Sequence, residues 1–161
     1  MIDCLCNLWG NSKQEIKNGI APENIILAGF SQGATIALRS ALSMDEQIGG
    51  VVALSMWHLP SVTGAEAAQA SKREGKLPVL FCHGANDQII TADFAQHKCS
   101  EMTAALDVQY AQFDGLAHSV SADELLAVRT FLLSKIPGNA KYDSLNALPP
   151  TYRSRLGDFI R

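Results

Sequence analysis

The segment at residues 25–34 constrains the fold of this chain more than any other. It joins a short apolar run, suited to a buried strand, to a helix-forming sequence, and Ser31 lies between them with Gly29 and Gly33 on either side. A serine in this G-x-S-x-G context is typical of a nucleophile held on a sharp turn. We expect a Cβ at either glycine to collide with the neighbouring chain. The backbone N–H of Gln32 would then face the site where an oxyanion forms.

The rest of the chain alternates predicted helices with apolar runs. The runs are continuous and have no polar face, which is typical of parallel strands covered by helices on both sides. The pattern predicts an α/β fold with a mostly parallel sheet flanked by helices. The predicted strands are residues 25–28, 49–55, 77–82 and 108–113. The predicted helices are residues 2–18, 34–43, 91–105 with Thr91 as the N-cap, and a last one capped by Ser121.

Length and composition favour one domain. The chain has 161 residues, of which 47% are hydrophobic and 18% charged, enough apolar material for a single core. We expect residues 1–136 to form the catalytic domain. Residues 137–161 contain Gly138, Pro149 and Pro150 and predict a mobile tail.

The charge and the cysteines exclude several classes of function. A net charge of −3 gives no electrostatic reason to bind nucleic acid or an anionic membrane. No apolar run reaches the roughly 18–20 residues of a transmembrane helix, and the start lacks a signal-peptide pattern, so a cytoplasmic location is expected. We interpret Cys4, Cys6, Cys82 and Cys99 as free thiols, because the C-x-C pair does not have a zinc-site spacing; no metal is expected.

Candidate catalytic residues follow three of the four predicted strands. Ser31 follows the first, Asp87 the third and His118 the fourth, and functional groups in such sheets gather beyond the carboxyl ends of the strands. His118 would take the proton of the Ser31 hydroxyl during attack on a carbonyl, and Asp87 would orient the imidazole and stabilise its charged form. Asp93 is the alternative to Asp87, and the alternatives to His118 are His58, His83 and His97.

These motifs resemble the acyl-protein thioesterase, lysophospholipase and carboxylesterase family of α/β-hydrolases. The matching stretches are Gly-Phe-Ser-Gln-Gly-Ala at residues 29–34, His-Gly-Ala-Asn-Asp at residues 83–87 and Gly-Leu-Ala-His-Ser at residues 115–119. The resemblance covers about residues 2–135. It implies hydrolysis of acyl thioesters or carboxylic esters, including palmitoyl groups on protein cysteines, without a cofactor. Acylated proteins or lipid esters would be the substrates.

The resemblance also implies an acyl-binding region near Met56, Trp57 and Leu59, although a core role for Trp57 is the alternative. Family members begin with a strand that ends in an H-G-L-G-D type turn, and this turn supplies a second oxyanion N–H. The sequence contains no such motif. We therefore expect an N-terminally truncated α/β-hydrolase fold, with an unpaired edge on its first strand. A short-chain carboxylesterase and an inactive fragment acting as a binding module are the alternative functions.

Overall fold

The computed structural model describes residues 2–57 and 75–135, with side chains from residue 8 onward. A short 3₁₀ turn at Pro22–Asn24 precedes the first strand, and the described elements then alternate between strand and helix except at β2 and β3, between which residues 58–74 are not described. The elements are α1 (Ile2–Lys17), β1 (Ile26–Phe30), α2 (Gln32–Leu42), β2 (Gly50–Leu54), β3 (Leu77–Gly84), α3 (Ala92–Met102), β4 (Leu106–Phe113) and α4 (Ala122–Lys135).

The four strands form one parallel sheet in the order β1-β2-β3-β4. Leu27 pairs with Val51, Val51 with Val79, and Val79 with Val108, so the carboxyl ends of the strands meet at one edge of the sheet. The predicted α/β class with a parallel sheet is confirmed. Within the described residues, β1 and β4 are the edge strands.

The central strands β2 and β3 are buried on both faces, because alternate residues enter separate cores. Val51 and Phe81 point into a core that also contains Leu38 of α2 and Cys99 of α3. Their neighbours on the strands point to the opposite face, where Phe131 of α4 completes a second core. A strand buried on both sides needs apolar residues at every position, which explains the continuous apolar runs.

Several predicted boundaries differ from the observed ones. β3 extends two residues beyond its predicted end, to Gly84, and β4 begins two residues before its predicted start, at Leu106. Ladder pairing between Leu77 and Leu106 and between Gly84 and Phe113 accounts for this, since hydrogen bonds to a neighbouring strand extend both elements.

Helix caps are formed by the predicted residues. Thr91 accepts a hydrogen bond from the Phe94 N–H at the start of α3, and Ser121 accepts one from the Glu124 N–H at the start of α4. No described helix has the length and apolarity needed to cross a bilayer. The tail predicted at residues 137–161 lies outside the described residues.

Candidate active site

Ser31 lies in a strained turn between β1 and α2. Its φ of 54° and ψ of −119° are rarely adopted by residues other than glycine. The end of β2 holds this conformation: the Ser31 N–H donates to the Leu54 carbonyl at 2.8 Å, and the Ser31 carbonyl accepts from the Trp57 N–H at 3.2 Å. These bonds continue the β1–β2 pairing past the end of β1 and fix the position of the Ser31 backbone.

Of the two glycines beside Ser31, only Gly29 has neighbouring backbone so close that a side chain would not fit. A Cβ on Gly29 would overlap the backbone of Gly33 and Ala34, so glycine is needed there. A Cβ on Gly33 would meet no atom within 4 Å, so the expected collision at that position is wrong. The reason is geometric: Gly29 lies under the first turn of α2, whereas the Cβ direction of Gly33 is open.

Asp87 lies in the turn that follows β3, and its carboxylate is fully buried. Oδ1 accepts the N–H groups of Ile89 at 2.8 Å and Ile90 at 2.9 Å. Burial by itself would raise the pKa of Asp87. The Ile90 N–H, the His118 imidazole and the Ile89 N–H outweigh it, so the pKa lies below its ordinary value. The carboxylate is therefore ionised at neutral pH.

The segment that carries His118 packs directly on the end of β3. A Cβ on Gly84 would overlap the carbonyl oxygens of Leu116 and Ala117, so the absence of a side chain at Gly84 lets this segment approach. The Asn86 N–H donates to the Leu116 carbonyl at 2.9 Å and ties the two loops together. Asp87 and His118 are thereby held next to each other although 31 residues separate them.

The three predicted side chains form one hydrogen-bonded chain. His118 Nδ1 lies 2.7 Å from Asp87 Oδ2, and His118 Nε2 lies 3.0 Å from Ser31 Oγ. Since Asp87 is ionised, Nδ1 carries the proton and donates it to Oδ2, which leaves Nε2 free to accept from the Ser31 hydroxyl. The His118 side chain is only 16% exposed. This arrangement can activate the hydroxyl for attack on an acyl carbon.

The alternatives to Asp87 and His118 lie elsewhere or contact other groups. Asp93 is exposed in the first turn of α3, and His97 projects into solvent and pairs with Glu101 at 3.2 Å. His83 is buried, and its Nε2 lies 2.8 Å from the Ile90 carbonyl. His58 lies outside the described residues.

Gln32 is the first residue of α2, directly after Ser31. Its N–H is one of the donors at a helix start that have no acceptor within the helix. It is therefore available to an oxyanion on an acyl group attached to Ser31. Among the described residues, no group of three or more His, Cys, Asp or Glu side chains could hold a metal ion.

The residues predicted near an acyl group have different environments. Met56 is fully buried in the core, whereas Trp57 is 49% exposed and lines a groove beside the Ser31 turn. Leu59 lies outside the described residues. The groove has a volume of about 260 Å³, and its described lining is Trp57, Ile89, Ile90, Thr91 and Phe94.

Sequence reasoning missed two sets of residues near the triad. Ile89 and Phe94 expose apolar side chains in the groove, and Phe30 lies against the His118 ring with the ring centroids 5.0 Å apart. The signal for Phe30 was its place directly before Ser31. For Ile89, the signal was the apolar pair Ile89-Ile90, which begins two residues after Asp87 in an otherwise polar turn.

The chain is similar to known thioesterases and carboxylesterases. The family model described as phospholipase/carboxylesterase matches residues 12–136. Acyl-protein thioesterase 1 of Gibberella zeae is 35% identical over 127 residues, which cover 78% of this chain and 54% of the relative. The carboxylesterase SOBER1 of Arabidopsis thaliana is 28% identical over 141 residues, covering 87% of this chain and 61% of the relative.

The crystal structure of Arabidopsis SOBER1 superposes on this chain with a TM-score of 0.71 at 26% identity. The superposition covers 83% of this chain and 63% of SOBER1. The chain thus spans between half and two thirds of the length of the relatives it matches. Since the family model covers more than half of the sequence, the chain belongs to the phospholipase/carboxylesterase family.

Proposed function

We propose that this chain carries the catalytic triad of a serine hydrolase that cleaves acyl thioesters or carboxylic esters. The observation that carries the proposal is the hydrogen-bonded chain from Asp87 through His118 to Ser31 Oγ, with distances of 2.7 and 3.0 Å. The three groups come from the ends of three strands and are brought together by tertiary packing.

Each residue has one step in the proposed reaction. Ser31 Oγ attacks the acyl carbon while His118 Nε2 takes the hydroxyl proton, and ionised Asp87 stabilises the imidazolium without accepting that proton. His118 then gives the proton to the leaving thiol or alcohol. In the second half, His118 activates a water that hydrolyses acyl-Ser31 and restores the hydroxyl.

The Gln32 N–H would stabilise the negative oxygen that forms in both halves. Removing one oxyanion donor reduces hydrolase rates about a hundred- to a thousandfold. The resemblance assigns the second donor to an H-G-L-G-D type turn, which this sequence lacks. We therefore propose that the full rate requires a second donor beyond the Gln32 N–H.

The groove defines the substrate class that we propose. Trp57, Ile89 and Phe94 offer apolar surface to the acyl group. The Trp57 N–H bonds to Ser31 and the Ile89 N–H to Asp87, so the groove adjoins the triad. Its volume of about 260 Å³ lies below the roughly 300–1,000 Å³ of sites for drug-sized ligands. This size suits part of an acyl chain.

The names of the relatives support two candidate substrate types within this class. Acylated proteins are the substrates that we propose first, because acyl-protein thioesterase 1 has the highest identity of the relatives described above. Carboxylic esters with short acyl chains are the second candidate, because one of the relatives is named a carboxylesterase. The expected cytosolic location fits Cys82 and Cys99, which are buried free thiols.

A fluorophosphonate probe tests the proposal directly. Ser31 Oγ should attack the phosphorus and displace fluoride, and Ser31→Ala should abolish labelling. Ser43→Ala is the control, because Ser43 is exposed and its hydroxyl donates to the Arg39 carbonyl. A folded wild-type chain that is not labelled, or equal labelling of Ser31→Ala, contradicts the proposed function.

A series of acyl substrates then separates the two substrate types. Rates on thioesters and oxygen esters are measured for acyl chains of increasing length. Thioester hydrolysis that increases with chain length supports the first candidate, and a maximum at short oxygen esters supports the second. Phe94→Ala should reduce the preference for longer chains, whereas Val120→Ala, at an exposed apolar residue that does not line the described groove, should not.

A further inference from the structure

His83 is buried at the end of β3 and has one well-formed hydrogen bond. Its Nε2 lies 2.8 Å from the Ile90 carbonyl oxygen and 3.6 Å from Asp87 Oδ2. Its Nδ1 is buried and has no hydrogen-bond partner among the described residues. Since a carbonyl can only accept, Nε2 carries a proton and donates it to Ile90.

The contacts of His83 and Asp87 meet at one residue. Ile90 donates its N–H to Asp87 Oδ1 and accepts the His83 N–H at its carbonyl. The turn that follows Asp87 is therefore held at both polar groups of Ile90. Without the hydrogen bond from His83, the turn could shift and move the N–H groups of Ile89 and Ile90. These two N–H groups are the donors that orient Asp87 Oδ1.

The orientation of Oδ1 determines the direction of Oδ2, because the carboxylate group is planar. Oδ2 is the oxygen that lies 2.7 Å from His118 Nδ1. A change in the turn is thus transmitted to the hydrogen bond between Asp87 and His118. Small displacements of this kind reduce rates strongly, by about a hundredfold for 1 Å.

We propose that His83 is a positioning residue for the Asp87–His118 pair. Its N–H holds the Ile90 carbonyl, the held turn fixes Oδ1 of Asp87, and Oδ2 is thereby directed at His118. This inference rests on the proposed function for its effect on rate, but the hydrogen bond that it concerns can be observed without turnover.

Two substitutions separate positioning from packing. His83→Gln keeps an N–H donor at about the distance of Nε2 from the backbone, whereas His83→Leu keeps apolar bulk and removes the donor. If His83 only fills space, the two variants should affect the site alike. If it positions the turn, only His83→Leu should disturb the Asp87–His118 bond.

The first readout is the low-field proton resonance of His118 Nδ1–H, which reports its hydrogen bond to Asp87. We expect this resonance in the wild type and in His83→Gln, and its loss or upfield shift in His83→Leu. Urea unfolding of both variants shows whether the preparations are folded. An unchanged resonance in folded His83→Leu, or equal disturbance in both variants, overturns the proposal.

The second readout is the rate at which the fluorophosphonate labels Ser31. We expect His83→Leu to slow labelling by about ten- to a hundredfold and His83→Gln to stay near the wild-type rate. In an Asp87→Asn background, His83→Leu should add little, because it acts through the Asp87 carboxylate. If the double variant is slower than Asp87→Asn by the full factor that His83→Leu causes in the wild type, the proposal is overturned.

The two readouts also distinguish failure of this inference from failure of the proposed function. A wild-type chain that is not labelled contradicts the proposed function, while the resonance still tests the role of His83. If His83→Leu does not fold, the test rests on His83→Gln. A folded His83→Gln variant without the His118 Nδ1–H resonance overturns the proposal. A folded variant that retains this resonance supports the requirement for a hydrogen-bond donor at residue 83.

Discussion

Glu124 makes the stability of this chain depend on pH. The residue lies in the first turn of α4 with no exposed surface, and neither carboxylate oxygen makes a well-formed hydrogen bond. Burial raises the pKa of Glu124 from 4.5 to about 7, and the smaller effect of the nearby Ser121 backbone acts in the opposite direction. Since one pKa unit corresponds to about 1.4 kcal/mol, ionising Glu124 costs the folded chain about 3 kcal/mol.

The sign of the effect follows from proton binding. Below pH 4.5 the folded and unfolded chains both carry the proton, and there is no penalty. Between pH 4.5 and about 7 the folded chain keeps a proton that the unfolded chain has lost, so its free energy of unfolding falls as the pH rises. Above about pH 7 both states are ionised, and the penalty is complete.

Glu124→Gln should remove this dependence. Urea unfolding of the wild type and the variant at acidic and at alkaline pH gives the difference in unfolding free energy between them. We expect this difference to change by about 2–3 kcal/mol in favour of the variant as the pH rises. The cost of burying an amide is the same at every pH and cancels from the change.

Asp123→Asn is the matched control, because Asp123 is exposed in the same helical turn. It removes an exposed carboxylate, so it controls for the loss of one negative charge from this turn. A difference between the wild type and Glu124→Gln that stays constant over this pH range would refute the reasoning. Such a result would mean that in solution the Glu124 carboxylate is exposed to solvent or accepts a hydrogen bond.

Four further substitutions test the geometry around Ser31 and His118 and at the sheet edge. Gly29→Ala should destabilise the chain by about 1–3 kcal/mol or more in urea unfolding, because its Cβ overlaps backbone, whereas Gly33→Ala should stabilise α2 by up to about 1 kcal/mol. Equal changes in the free energy of unfolding for the two variants would contradict the finding that backbone crowds Gly29 but not Gly33. Gly84→Ala should slow fluorophosphonate labelling of Ser31, since it displaces the segment that carries the base; an unchanged rate would show that this approach is not needed. Among the described strands β1 lies at the sheet edge and Ala28 is exposed on it, so Ala28→Lys should lower any concentration-dependent increase in light scattering, with little change in the free energy of unfolding. Unchanged association would exclude this edge as its cause.

Local patterns in the sequence were enough to predict the sheet, the chain order of the triad and two of the caps. The apolar runs predict strands because a strand covered on both faces needs apolar side chains throughout. The positions of Ser31, Asp87 and His118 follow from the same strands, since parallel strands bring their carboxyl ends to one edge. These features depend on residue type and spacing, which are visible in the chain itself.

The remaining features depend on contacts between residues distant in the chain, and only the tertiary structure decided them. Gly29 and Gly33 are symmetric around Ser31 in the sequence, but only Gly29 has backbone pressed against it. Met56 and Trp57 are neighbours, yet one is buried and the other lines the groove. A signature of five residues predicts a serine on a turn; the packing of other strands against that turn determines which neighbours touch it and which groups face it.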